Sequence, residues 1–104
     1  MTHGQPFTLN EQVVYQTDAV VSKTLLDKKI GTITLFSFDA GQGLSEHTAP
    51  FDAVVQILDG TAAITIDGTT QQVSAGQMII MPANLPHALK AEVPFKMLLV
   101  MIRG

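Results

Sequence analysis

An all-β sandwich or barrel is the fold this sequence predicts, and three observations predict it. Apolar runs rich in Val, Ile, Thr and Phe recur at short spacing, with period-two or continuous patterning, each bounded by Gly, Pro, Asp or Asn. Two Asp-Gly dipeptides, Asp59–Gly60 and Asp67–Gly68, read as hairpin turns, because a tight two-residue turn needs positive φ and these residues tolerate it. No stretch shows a clean helical period with caps at its ends.

Taken in order, the first ten residues read as a loose arm, and Leu9–Tyr15 as a turn or an N-terminal strand. Strands are expected at Val20–Leu26, Ile30–Phe38, Ala53–Leu58, Ala62–Ile66, Met78–Met81 and Phe95–Ile102. Short strands at this spacing suit a sandwich or barrel. Phe36, Phe38, Phe51 and Phe95 read as packing inside it, with Phe51 the candidate for a pocket mouth. Gln56 and Lys96 read as solvent- or interface-facing.

A chain of 104 residues has room for one core, so a single domain over 1–104 is expected. Apolar residues make up 46% and charged ones 14%, a low charge density that leaves room for a buried subunit contact. The net charge of −3 and six scattered basic residues argue against a nucleic-acid partner, which needs clustered Lys and Arg. Without cysteine there is no disulfide framework, thiolate metal site or cysteine nucleophile. The N-terminus lacks the basic and apolar regions of a signal peptide, and no apolar run approaches the ~18 residues of a membrane span. No membrane partner and a cytoplasmic location are therefore expected.

Two blocks carry the functional signal. One runs G-Q-G-L-S-E-H-T-A-P-F-D-A-V-V-Q-I-L-D-G from Gly41 to Gly60, the other G-Q-M-I-I-M-P-A-N-L-P-H from Gly76 to His87. Together they resemble the paired motifs of the cupin superfamily, G-x5-H-x-H-x3,4-E-x6-G and G-x5-P-x-G-x2-H-x3-N. Gly41, His47, Gly60, Gly76, Pro82 and His87 match without insertion or deletion. Ala49 stands where the second histidine would be, Ala53 where the glutamate would be, Asn84 for the second-motif glycine and Ala91 for the asparagine. The resemblance implies a cupin-type jelly-roll β-barrel, the double-stranded β-helix of RmlC-like proteins, with a ligand cup inside, and it also implies a homodimer.

Strand alternation places His47, Ala49, Ala53, Val55 and Ile57 on one face and Glu46, Asp52, Val54 and Gln56 on the other, unless Pro50 bends the chain between them. His87, Leu89 and Ala91 share a face in the same way. In the cupin-like reading the expected pocket is lined by His47, Ala49, Phe51, Ala53, Val55 and His87. Pro82 and Pro86 stiffen the loop before His87, and Asn84 tolerates the left-handed conformation that the family's glycine would take. Met78, Met81, Met97 and Met101 read first as gap-filling core and second as cavity lining.

Zinc and iron sites commonly use at least three protein ligands, and only His47 and His87 remain here, with Asp52 and Glu46 as candidate substitutes. A divalent Zn, Fe, Mn or Ni ion would be weakly held or absent. Three functions follow: a small-molecule-binding cupin marked by the two histidines, a cupin enzyme of dioxygenase or isomerase type with His47 or His87 as general base or ligand, and an oligomeric binding module. The first is the preferred reading.

Overall fold

The computed structural model describes residues 3–103 of the chain. Nine strands follow a short 3₁₀ turn at Leu9–Glu11: β1 Val20–Lys28, β2 Gly31–Phe38, β3 Gly43–His47, β4 Asp52–Asp59, β5 Thr61–Ile66, β6 Thr69–Ser74, β7 Met78–Met81, β8 His87–Lys90 and β9 Phe95–Ile102. They form two antiparallel sheets, β1-β2-β9-β4-β7 and β3-β8-β5-β6, facing each other as a jelly roll. Of the expected N-terminal arm, residues 1 and 2 lie outside the described residues. From the rest of that region the Asn10 side-chain amide donates to the Leu58 carbonyl, and the Tyr15 hydroxyl to Asp59.

Six strands lie where alternation predicts them, and three more, β3, β6 and β8, escape that reading. Their composition is the reason. Strand β6, TTQQVS, buries Val73 and little else, β3 carries Gly, Ser and Glu, and β8 is four residues long behind Pro86.

Asp67–Gly68 makes the expected hairpin between β5 and β6, with φ of 48° and 83° at its two residues, the all-positive pattern of a tight turn. Asp59–Gly60 does not. Strand β4 pairs with β7 and β9, whereas β5 pairs with β6 and β8, so Gly60 is a corner where the chain leaves one sheet for the other. Its φ is 73°, and a Cβ there would collide with the Pro94 carbonyl oxygen. Close backbone approach, not a hairpin, requires this glycine.

The core lies between the sheets. Phe38 and Phe95 stack with ring centroids 4.5 Å apart, and Val55, Ile57, Ile64 and Met97 pack around them with at most 1% exposure. Full burial of side chains this large contributes about 1.5–3 kcal/mol each before the entropy of ordering is subtracted. Alternation along β4 holds: Ala53, Val55 and Ile57 are buried, Asp52 is exposed, and Val54 and Gln56 are half-buried.

Candidate functional site

Two strands of the four-stranded sheet, β3 and β8, bring the histidines together. His47 ends β3, His87 begins β8, and the two are register partners across a ladder shifted between Leu44 and His47. Their Nε2 atoms lie 3.1 Å apart, with the rings edge to face at 72°. His87 is buried at 5% exposure and His47 is exposed, so the pair spans from the interior to the surface.

Each ring is held by the carbonyl two residues before it. His47 Nδ1 donates to the Ser45 oxygen at 2.7 Å, and His87 Nδ1 to the Leu85 oxygen at 3.3 Å. A ring nitrogen facing a carbonyl must carry the hydrogen, since two lone pairs repel. In neutral imidazole the other nitrogen is then bare. Both Nε2 lone pairs therefore converge, and the contact is favourable only when a proton or a cation is shared between them. His87 resists taking up that proton: burial first, and the charge of His47 second, lower its pKa below the ordinary 6.5, against a smaller raising effect of the Leu85 carbonyl.

The loop before His87 is anchored to the segment after His47. Asn84 takes φ 67°, the left-handed conformation expected of it, and its N–H donates to the Ala49 carbonyl at 2.8 Å. The Ala83 N–H donates to Asp52 Oδ1 at 2.9 Å. Asp52 is thus a brace for the loop. That contact commits Asp52 Oδ1 to the loop backbone. Among the described residues no group of three or more His, Cys, Asp or Glu side chains comes together.

Beside the pair lies a cavity of about 50 Å³, walled by both histidines with Leu44, Ala49, Ala53, Met81, Leu89, Met97, Leu99 and Met101. Four of the expected pocket residues, His47, Ala49, Ala53 and His87, stand on this cavity. Val55 is fully buried in the core and does not reach it, and Phe51 lies outside, with the Arg103 guanidinium 5.7 Å from its ring. Pro50 and the turn around it break the extended chain between Ala49 and Asp52, which moves Phe51 off the mouth. Met81 and Met97 belong to the buried core and Met101 packs against it, as expected, and the same three side chains also wall the cavity, while Met78 is exposed on the outer face. Register across three strands puts Met81 and Met101 on either side of Ala53, a placement with no local signal in the sequence.

The cupin domain family model matches residues 34–102. The chain belongs to the cupin family. Over its full length it is 43% identical, at a TM-score of 0.95, to a conserved Streptococcus pyogenes protein of unknown function, covering 91% of that chain. It is also 43% identical, at 0.91, to a cupin 2 conserved barrel domain protein from Leptotrichia buccalis, with 93% of this chain lying on 47% of that one. An uncharacterized Streptomyces coelicolor protein is 34% identical over 54% of this chain, a match spanning 53% of that relative. Among the described residues no helix is long and apolar enough to cross a membrane.

The donor set does not fit the divalent centre that the cupin motifs imply. Two imidazoles are neutral ligands, the carboxylate position holds Ala53, and the second histidine position holds Ala49. An ion left doubly charged in an apolar cup meets a large desolvation cost that no carboxylate offsets.

Proposed function

We propose that this cupin is a binding protein whose interior cup takes a very small electron-pair acceptor, a hydrogen-bond donor or a cation, on the two Nε2 atoms. One observation carries the reading: both Nδ1 atoms are committed to backbone carbonyls while both Nε2 atoms face each other at 3.1 Å, on two rings that wall an apolar cavity. Size narrows the ligand further. Sites for drug-sized molecules run to ~300–1,000 Å³, and about 50 Å³ holds a few heavy atoms.

Nitrogen-15 spectra of the histidine rings test this directly. In chelator-treated protein both rings should show protonated Nδ1, and adding ammonium or methylammonium should move both Nε2 signals together. A ring found as the Nε2–H tautomer, or signals indifferent to every donor and cation tried, would sink it.

A second reading, self-association, is favoured by the outer face of the five-stranded sheet. Leu26, Ile33, Val100, Val54 and Ile80 stand in direct register across all five strands, an unbroken apolar row. Ile80, Ile102 and Met78 are 57–58% exposed. Strands about 4.8 Å apart make the face roughly 24 Å wide, the scale of a patch burying ~800 Å² per partner. The occupant that fits is a second copy. The row carries no charge, so two chains of net charge −3 can meet there without opposing like charges. Of the lysines beside it, Lys23 is bound to Gln12 and Lys96 to Asn10 of the same chain.

A further inference from the structure

We infer that the cation this cup selects is soft and monovalent, of the Cu(I) class, held by His47 and His87 together with the thioethers of Met81 and Met101. The inference rests on the cup being a binding site at all, and adds the chemistry of the ligand.

Charge is the first reason. Desolvation rises with the square of charge, so a divalent ion in this cup costs about four times what a monovalent one does. No carboxylate among the described residues stands with the imidazoles to offset it. Neutral nitrogen and sulfur donors suit an ion that needs little compensation.

The second reason lies at Ala53, the position that bears glutamate in the family motif. Its register partners are Met81 on β7 and Met101 on β9, so the missing carboxylate is replaced from both sides by long, flexible, polarizable side chains. Direct partners on a shared face hold their Cβ atoms ~4.5–5.5 Å apart, and alanine leaves the room between them open. Met81, Met101 and both histidines wall one cavity. Thioether with imidazole is a donor set that selects Cu(I) over harder ions, for which oxygen ligands are preferred.

The third reason is the spacing of the nitrogens. Metal–imidazole bonds are about 2.0–2.1 Å, so an ion on the line between two nitrogens would hold them about 4 Å apart. The nitrogens stand 3.1 Å apart, so an ion bridging them without a shift of the rings would lie off that line, with coordination positions left for other donors. The wall of the cup offers sulfur to fill them.

The test is anaerobic titration of the whole chain with Cu(I) against a chromophoric Cu(I) chelator, read beside methionine-methyl and histidine nitrogen spectra. One equivalent should bind, shift both Nε2 atoms and the Met81 and Met101 methyls, and leave Met78 unmoved. Zn(II) and Ni(II) should bind at least 100-fold more weakly. Met81→Leu and Met101→Leu, near-isosteric changes that keep the fold, should each weaken Cu(I) at least 10-fold, and Met78→Leu should not. Cu(I) affinity unchanged in both cup variants, or Zn(II) bound as tightly, overturns the soft-cation assignment while leaving the imidazole site standing. Affinity unchanged in His47→Ala and His87→Ala, each checked for fold by its spectrum, overturns both.

Discussion

Outside the barrel the two sheets are built of opposite chemistry. The four-stranded sheet turns out hydroxyls and amides: Thr65 bonds Thr70 at 2.6 Å, Thr61 bonds Ser74 at 3.1 Å, and Gln72 lies between these pairs in the ladder. The five-stranded sheet turns out Leu26, Ile33, Val100, Val54 and Ile80. Inside, both are apolar, but sheet β3-β8-β5-β6 brings the nitrogen donors and sheet β1-β2-β9-β4-β7 the sulfur. The difference teaches that one sheet serves only the core, whereas the other has two faces to hide. Residues before β1 hide part of the second: Val13 is 4% exposed, and Ser37 donates to the Val14 carbonyl at 2.6 Å.

The largest effect is expected at the inner face. Phe38→Ala should lower unfolding free energy by ~3–5 kcal/mol in a urea titration, through lost transfer energy and the cavity left beside Phe95. Thr65→Ala on the outer face of the other sheet should cost no more than about 1 kcal/mol. Similar losses from the two would mean that the core is not where the buried clusters put it.

Assembly comes next. Val100→Lys should shift the proposed dimer to monomer in light scattering at micromolar concentration, while Thr65→Lys leaves it unchanged. A wild-type monomer, or equal effects of both lysines, removes the functional meaning of the apolar row.

The smallest expected effect is acid sensitivity centred on sheet β3-β8-β5-β6. Because the pKa of His87 is lowered in the folded protein, the unfolded chain binds more protons below the ordinary 6.5. The stability of the metal-free protein should therefore be full above that pH and decline as pH falls through 6.5 toward the folded value. His87→Leu should flatten this dependence in urea midpoints taken between about pH 7.5 and 5.5. A profile unchanged by the substitution would place the proton elsewhere.

Much of the site was legible in one dimension. Spacing alone put His47 and His87 on matching family positions, and Asn84 adopts the left-handed turn that its chemistry suggested. Strands with apolar alternation were legible too, because alternation is a local property of the chain. Strand β6 was not, since Thr and Gln suit a solvated strand and a loop equally well. Asp59–Gly60 carried the right residues for a hairpin and made a corner, because what approaches Gly60 is Pro94, thirty-four positions on.

What the amino-acid order determined by itself was the periodicity, the turn chemistry, and the alanines Ala49 and Ala53 where the cupin motifs carry histidine and glutamate. The tertiary structure alone decided that Asp52 braces a loop, that Phe51 leaves the mouth, and that Met81 and Met101 flank Ala53. The physical reason is that pairing register is fixed by contacts between strands distant in sequence, and a one-residue slip would turn a different set of side chains into the cup.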